Sequence, residues 1–484
     1  GNSGSNTDIN VTTYTLDLLS FEMGSDIKIN ADQTSFASGK GNATGSTFAK
    51  AILTANNKTN TATEHYYLYL NISNNTFTYT QNENTPEILL TITDGTNPVT
   101  NITSLTYKTV TDGKGNRISG YDITNKKGLI TLFSNREITT TSTKTENWNI
   151  TVSFINYNLD QSANAGKTFS GKVLIQKEKF KETIATVCSN GQTLSSCIIA
   201  MNGKDDTLYH HTSSLANGAG DNSYRYAGAS DQVNNFVCFG STTSPCPTDN
   251  LYRIIGVFED KVKLIKYDYA TSTLLGTDGD YSGSDTPDTN YYKGSLSSID
   301  TYYWNNVTKK NTWSESNLNK INLNTNFINN IGSQWANKIA TTTWKVGGNT
   351  FDNIGSSVPS IAYQNEIVAP AENTTYDAKI GLMYASDYYY AASPRAWTLV
   401  GCDFDDGKDY SGASANNWIY MGHNEWIVSR KSDNSNNAFV VVYFGFVLYS
   451  SVSGDAGVRP SFNLSSSTTY VSGSGTMSNP IRVN

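Results

Sequence analysis

Charged residues are scarce in this 484-residue chain: they make up 16% of it, whereas about a quarter is usual for soluble domains. Lys and Arg form no cluster or stripe, so nucleic acid is not an expected partner. The formal net charge of −7 is a mild, dispersed acidity that favours solubility rather than a specific role. Asn, Ser, Thr, Gly and 30 Tyr supply the polarity instead, a composition that suits β-sheets and binding surfaces.

Long apolar runs are also missing from the sequence. No run approaches the roughly 18–20 residues that a membrane-spanning helix needs. No signal peptide follows Gly1. We therefore expect that a leader or membrane anchor belongs to the protein but is missing from this sequence.

Cysteine is rare, and four of the five Cys form two closely spaced pairs, Cys188 with Cys197 and Cys238 with Cys246. Two short Cys-bounded loops predict two local disulfides and hence an extracellular protein. A metal site is the weaker alternative, because neither pair has CxxC spacing and only two His lie between the pairs. The remaining thiol, Cys402, is expected to serve packing.

Signals of catalysis are few. The sequence has no nucleophile elbow, zinc-protease motif, P-loop or dinucleotide-binding motif in its proper context, and only four His. The acidic run DFDDGKDY lacks the positions and closing Glu of an EF-hand, so a solvated loop is favoured over a Ca²⁺ site. We therefore expect no enzymatic activity, no cofactor and no metal ion.

Residues 1–178 predict an all-β domain. Turn clusters such as ASGKGNATGS and TDGTN separate runs with period-2 or short apolar patterns: TTYTLDLLSFEM, HYYLYLNISNN, EILLTITD, NWNITVSFINYNL and FSGKVLIQK. Strands at this spacing favour an immunoglobulin-like β-sandwich that acts as a stalk, although the Cys–Trp–Cys core of antibody domains is absent. Trp148 is expected in the core of this domain.

The pattern changes near residues 177–182. Residues 179–250 hold both Cys pairs but little apolar sequence, and we interpret them as a disulfide-bearing, loop-rich connector into the next domain. From Leu251, LYRIIGVFEDKVKLIKYDYA predicts a β-hairpin that turns at Glu259 and Asp260. SLSSIDTYYWNN, SESNLNKINLNTNFINNI and SQWANKIA have helical spacing, and the rest predicts short strands and long loops.

Several C-terminal segments carry a resemblance to known proteins. KIGLMYASDYYYAASP, NNWIYMGHNEWIVSRKSD, GVRPSFNL and YVSGSGTMSNPIRVN, with the LYRIIGVF hairpin and the WSESNLNKIN helix upstream, resemble a domain that recurs in gut-bacterial surface proteins. That domain is similar to C-type-lectin-like folds, which serve as variable domains in proteins diversified by retroelements that mutate adenines. The resemblance implies an α+β C-type-lectin-like, ligand-binding domain over residues 251–484, and hence a multi-domain chain.

The resemblance also points to residues 438–457, AFVVVYFGFVLYSSVSGDAG. In similar proteins the equivalent loop and strand are rich in Asn, and the residues found here are all reachable from an Asn codon by changing adenines alone. The residue types that this route cannot produce (Lys, Glu, Gln, Trp and Met) do not occur between Ser432 and Gly457. The implied ligand-binding residues are Val442, Tyr443, Phe444, Phe446, Leu448, Tyr449, Ser450, Ser451, Ser453 and Asp455. The implied framework residues between them are Val441, Gly445, Val447, Val452 and Gly457.

This segment has two physical interpretations. VVVYFGFVLY would suit a buried strand. An exposed mixture of Tyr, Phe, Leu, Ser and Gly is typical of binding loops, since rigid aromatic rings contribute contact area at low entropic cost. We favour binding, and we add His423 and Tyr389 as ligand-binding residues at the rim, although packing is the commoner role for such residues. Trp418, Trp426 and Phe462 are assigned to the core, and Arg459 to the ordering of a backbone turn.

The sequence thus predicts an extracellular ligand-binding protein or adhesin on a bacterial cell surface. The expected partner is a protein or glycan on another cell, a phage or a host. The first alternative is a structural surface or pilus-like subunit that functions through its β-sandwich. A carbohydrate-active enzyme ranks third, because the sequence alone cannot place two carboxylates relative to one another.

Overall fold

The computed structural model of the chain describes residues 18–31, 41–56 and 59–484. The chain divides into two units, Gly1–Phe180 and Lys181–Asn484. Strands account for 37% of it and helices for 16%, in several antiparallel sheets. The predicted β-rich, multi-domain character is confirmed. The opening residues GNSGSNT, on which the expectation of a missing leader depends, lie outside the described residues.

The described residues of the first unit form ten strands in two antiparallel sheets. The strands are β1 (Leu18–Met23), β2 (Ile27–Asn30), β3 (Ala43–Thr54), β4 (Ala62–Asn75), β5 (Ile88–Thr93), β6 (Tyr107–Thr111), β7 (Arg117–Asp122), β8 (Gly128–Thr140), β9 (Thr143–Phe154) and β10 (Thr168–Gln176). One sheet has the order β1-β3-β9-β5-β7-β6, and the other has the order β2-β10-β4-β8. A 3₁₀ turn, Ser162–Asn164, precedes the last strand.

Both sheets of the first unit contribute side chains to one core. Period-2 patterning places every second residue of β3 inside, so Ala49, Ala51 and Leu53 are buried. Trp148 lies in this core, where its ring packs 4.7 Å from that of Phe133. Its indole N–H donates to the Tyr66 hydroxyl at 2.8 Å, so the polar atom of this large side chain is satisfied.

The second unit contains sixteen strands in five antiparallel sheets. The strands are β11 (Leu208–His210), β12 (Tyr224–Tyr226), β13 (Phe236–Cys238), β14 (Leu251–Phe258), β15 (Lys261–Lys266), β16 (Tyr281–Asp285), β17 (Ile299–Tyr303), β18 (Thr342–Lys345), β19 (Thr375–Ala378), β20 (Glu425–Arg430), β21 (Asn437–Val441), β22 (Val447–Ser451), β23 (Asp455–Ala456), β24 (Ser461–Asn463), β25 (Tyr470–Ser472) and β26 (Arg482–Val483). The largest sheet has the order β11-β12-β14-β15-β24, with β13 also paired to β14. The others are β16-β17-β23, β18-β19, β20-β21-β22 and β25-β26.

Short helices fill the connections of the second unit. The α-helices are α1 (Ile184–Val187), α2 (Leu194–Ala200), α3 (Ser272–Leu275), α4 (Ile328–Ile331), α5 (Ser333–Ala336), α6 (Phe351–Ile354), α7 (Pro359–Tyr363) and α8 (Ala385–Tyr390). Leu318–Phe327 and Gln364–Val368 are π-helical, and Thr248–Asn250, Trp313–Glu315, Pro394–Thr398 and Tyr410–Asn416 are 3₁₀ turns. None of the helices in the described residues combines the length and apolar character needed to span a bilayer.

The predicted hairpin at the start of the last domain forms as β14 and β15, and Glu259 takes a left-handed φ of 57° in its turn. Gly256 lets this hairpin join its neighbour, because a Cβ there would lie 2.2 Å from the carbonyl oxygen of Tyr224 in β12. The pairing of β14 with β12 in the large sheet therefore requires glycine at position 256.

Two predictions for this region need correction. Residues 179–250, interpreted as a connector, supply β11, β12 and β13 to the large sheet and bury Leu194, Ile198 and Phe239 in the core of the second unit. SLSSIDTYYWNN, expected to be helical, contains β17 instead, because its β-branched and aromatic residues pair with β16 and β23. SQWANKIA does begin a helix, α5.

Candidate functional site

Nine of the ten predicted contact residues lie on one β-hairpin and the turn after it, and the tenth, Asp455, begins strand β23. Strand β21 pairs with β22 in a register that places Val441 opposite Val447 and Phe439 opposite Tyr449. Residues 442–446 form the tip, and β22 is the outer strand of the sheet β20-β21-β22. We call the ten residues the hairpin surface: Val442, Tyr443, Phe444, Phe446, Leu448, Tyr449, Ser450, Ser451, Ser453 and Asp455.

Exposure separates the hairpin surface from its framework. All ten hairpin-surface residues are partly or fully exposed, with Phe444 the most exposed large apolar residue of the tip at 39%. The five framework residues are all buried: Val441, Gly445, Val447, Val452 and Gly457. Strand β21 matches the other interpretation of this segment, that of a buried strand, because residues 438–441 are buried. Val442, Leu448 and Tyr449 also pack partly against the core.

An aromatic cluster forms the tip. The rings of Tyr443 and Phe444 lie 4.2 Å apart, and those of Phe444 and Phe446 are stacked at 6.0 Å. Tyr291, from the loop after β16, packs edge-on against Tyr443 at 5.5 Å and Phe444 at 5.4 Å. Such contacts restrict the rings, of which Phe444 is exposed and Tyr443 and Phe446 are partly exposed.

The backbone of the tip is held by side chains that lie outside it. The buried hydroxyls of Tyr388 and Tyr420 donate to the carbonyl oxygens of Gly445 and Tyr443. Asn424 Oδ1 accepts from the Tyr443 N–H at 2.8 Å. Burial raises the pKa of Tyr420 to about 12 and that of Tyr388 well above its ordinary value, so both phenols remain donors at neutral pH. These three hydrogen bonds hold the tip through its main-chain atoms, in addition to the ring contacts of its side chains.

A second aromatic group flanks β22. Tyr449 packs edge-on against Phe351 at 5.3 Å, and Phe351 lies 5.8 Å from Phe404, which is 71% exposed. Lys431 Nζ lies 4.8 Å above the Tyr449 ring, a cation–π contact that fixes this ring at the sheet edge. The hairpin surface therefore has aromatic residues both at its tip and at the sheet edge formed by β22. The serines of the surface follow Tyr449 along the chain.

The two rim residues differ from one another. His423 keeps 15% of its side chain exposed and lies 3.7 Å from Asp285; burial lowers its pKa, against the opposing effect of Asp285 and Asp455. Tyr389 is fully buried and donates to the carbonyl oxygen of Ile354 at 2.7 Å. This corrects its prediction as a ligand contact: Tyr389 is a packing residue, as its place in the buried helix α8 requires.

Arg459 connects three chain segments through hydrogen bonds of its buried guanidinium group. Its Nε donates to Glu425 Oε1 at 2.8 Å, and its Nη1 donates to the carbonyl oxygen of Tyr267 at 3.2 Å. Nη2 donates to the carbonyl oxygen of Ile419. Since the guanidinium is buried, this fork of donors fixes three chain segments at once. Trp418, Trp426 and Phe462 lie in the same core.

The acidic loop uses its carboxylates to order its own backbone. Asp403 Oδ1 accepts from the N–H groups of Asp405 and Asp406, and Asp409 accepts from those of Asp403 and Ser411. Within the described ranges, no group of three or more His, Cys, Asp or Glu is arranged to hold a metal ion.

Both predicted disulfides are confirmed: Cys188 with Cys197, and Cys238 with Cys246. Disulfides indicate an oxidising, extracellular environment. Cys402 is a buried thiol whose pKa is raised by burial to about 11, so it stays protonated and unreactive at neutral pH.

Sequence reasoning missed Tyr291, Phe351, Phe404 and Asn424 as neighbours of the hairpin surface. Tyr291, Phe351 and Phe404 come from parts of the chain that are distant in sequence and show no periodic pattern. Asn424 stands directly before β20, in a segment that carries the resemblance, but the resemblance gave it no role. Phe404 had one usable signal, a lone aromatic residue inside an acidic, solvated run.

Comparison with known proteins leaves the family open. No protein-family model matches the chain, and no curated protein matches it with significance.

Proposed function

We propose that this protein is an extracellular ligand-binding protein or adhesin of a bacterial surface, and that the hairpin surface binds its ligand. The observation that carries the proposal is the division of residues 441–457 into accessible contact positions and buried framework positions. A strand that served only packing would bury its aromatic residues rather than present them between buried Val and Gly.

The chemistry of the tip supports recognition by contact. Tyr443, Phe444 and Phe446 offer large, rigid side chains whose neighbours already restrict them, so binding would cost little side-chain entropy. The serines that follow, Ser450, Ser451 and Ser453, offer adaptable hydrogen bonding beside them. Aromatic anchors surrounded by small polar residues are typical of surfaces that bind proteins or glycans.

We also propose a specific fold for each of the two units. The first unit, with two antiparallel sheets around one core, is proposed to be an immunoglobulin-like stalk. The second unit, with short helices and several small sheets, is proposed to be a C-type-lectin-like domain. The backbone-directed contacts of Tyr388, Tyr420 and Asn424 would suit a variable loop, because they do not depend on the side chains of the tip.

Binding can be tested with a labelled full chain on arrayed glycans and on intact bacterial and epithelial cells. For a ligand found this way, the triple variant Tyr443→Ser/Phe444→Ser/Phe446→Ser should bind at least about tenfold more weakly, as expected when interface anchors are truncated. The matched control is Ile361→Ser/Val368→Ser, which changes two other exposed apolar residues and should bind like the unchanged protein. A folded triple variant with unchanged affinity would refute the proposed site.

Diversification is tested separately in the genome. We expect a near-copy of the coding segment for residues 432–457 beside a reverse-transcriptase gene, differing from it at adenines. If the locus contains no such copy, the domain is a receptor of fixed sequence, and the retroelement is no longer part of the proposal.

A further inference from the structure

A cleft unrelated to the hairpin surface lies on the second unit. Its volume is about 520 Å³, and its walls are the Cys238–Cys246 disulfide loop, helix α5 with the residues after it, and the hairpin β25–β26. Trp335, from α5, is almost fully buried in the wall. Ser241, Thr242 and Ser244 of the disulfide loop supply hydroxyl groups.

The charged side chains that line this cleft among the described residues are both positive. Among the residues that the structure describes, they are Lys338 and Arg482, and no Asp or Glu lines the cleft. Neither cation has a carboxylate within 4.0 Å among the described residues.

The donors of Arg482 are only partly used. Nη2 donates to the carbonyl oxygen of Thr243 at 2.8 Å. Nη1 is buried and has no hydrogen-bond partner in the described part of the chain. An enclosed guanidinium N–H without an acceptor leaves the positive charge poorly compensated, so an anion bound in the cleft beside Arg482 would be electrostatically favourable. Lys338 Nζ lies 6.0 Å over the Trp335 ring.

We propose that this cleft binds a small polar ligand through an oxyanion, a carboxylate or a sulfate such as acidic saccharides carry. A guanidinium and an ammonium group without acids provide charge-assisted hydrogen bonds to such a group. The surrounding hydroxyls suit the neutral part of a sugar. A neutral sugar or an apolar group would leave both cations unpaired, and would bind more weakly. The proposal does not rest on the proposed function of the hairpin surface.

The test follows the indole signals of the full chain by NMR with ¹⁵N-labelled tryptophan. The chain has eight Trp, and the variant Trp335→Phe assigns the signal of Trp335. Sodium sulfate, sodium glucuronate and glucose are titrated at constant ionic strength. Sulfate or glucuronate should shift the Trp335 signal saturably, and glucose should not. A response to both anions identifies the oxyanion itself as the ligand group, whereas a response to glucuronate alone identifies an acidic sugar.

Variants decide whether the two cations cause the response. Arg482→Gln and Lys338→Gln should each weaken binding about tenfold, the usual effect of losing a charge-assisted hydrogen bond. Lys293→Gln, an equal loss of charge at an exposed lysine of a different cleft, should not. The proposal is overturned if neither anion shifts the Trp335 signal, if glucose shifts it equally, or if Lys293→Gln weakens binding as much as Arg482→Gln does.

Discussion

Gly445 shows at single-residue scale why the tip tolerates few changes in its framework. Its φ is 103°, a left-handed conformation that residues with a side chain rarely adopt, and a Cβ would lie 2.8 Å from that of Ser414. We expect Gly445→Ala to lower the free energy of unfolding by about 1–3 kcal/mol, the range for a strained backbone position. Urea denaturation measures this. Gly412→Ala, where a Cβ would meet open space, is the control and should change stability little; equal effects of the two variants would contradict the account.

His211 gives a prediction for the dependence of stability on pH. Burial, reinforced by Arg225, lowers its pKa from the ordinary 6.5 to about 3. Between these values the unfolded chain binds a proton at His211 and the folded chain does not. The contribution of His211 to stability is therefore complete above pH 6.5 and is lost as the pH falls toward 3.

Urea unfolding at several pH values between 4 and 7 checks this prediction. His211→Phe keeps a ring against Tyr390 and Trp397 but cannot take up a proton. The variant should therefore lose less stability on acidification than the unchanged protein does. Parallel profiles of the two proteins would contradict the lowered pKa.

Among the strands and helices, the sequence predicted those whose apolar pattern and pairing partner lie close together in the chain. The β14–β15 hairpin is an example, because two apolar runs flank a short polar turn. Residues 295–306 were predicted as a helix because apolar residues there also match a helical period. The strand β17 forms instead because β16 and β23, the latter more than 150 residues away in sequence, offer it pairing partners. No local pattern could reveal the second of these.

Prediction of the candidate site was limited in the same way, by contacts between residues that are distant in sequence. The division of residues 441–457 into contact and framework positions came from a resemblance and matches the burial of each residue. Tyr389 was misassigned because the run Tyr388–Tyr390 offers three aromatic rings with no sequence signal for the direction of each. Helix α8 proves to be enclosed on all sides. The neighbour Tyr291 could not be predicted, because only tertiary packing places it there.

The hairpin as an element should be sensitive at its buried positions. Val447 is fully buried beneath the tip, and its N–H donates to the carbonyl oxygen of Gly401 at 3.1 Å. Val447→Ala should lower the free energy of unfolding by about 2 kcal/mol through the lost methyl contacts and the cavity left behind. Leu448→Ala, at the adjacent, partly exposed position, is the control and should cost less. The reverse order would mean that the assignment of inner and outer faces is wrong.

At the scale of the whole molecule, the two units differ in their dependence on disulfides. All five Cys lie in the second unit. Reduction should therefore destabilise that unit, by about 2–3 kcal/mol for each short loop that is opened. Calorimetry of the full chain with and without reductant checks this: a transition that belongs to the second unit should move to lower temperature, and that of the first unit should stay. A shift of both transitions would contradict the separate cores of the two units.

Thermal unfolding of the variant Tyr443→Ser/Phe444→Ser/Phe446→Ser tests directly whether the aromatic residues of the tip serve binding or the fold. If these rings face the solvent and await a ligand, the midpoint should fall by no more than about 4 °C, which corresponds to roughly 1–2 kcal/mol in a unit of this size. A fall of 10 °C or more, like that expected of a truncated core, would mean that the rings stabilise the fold and would contradict the proposed binding surface.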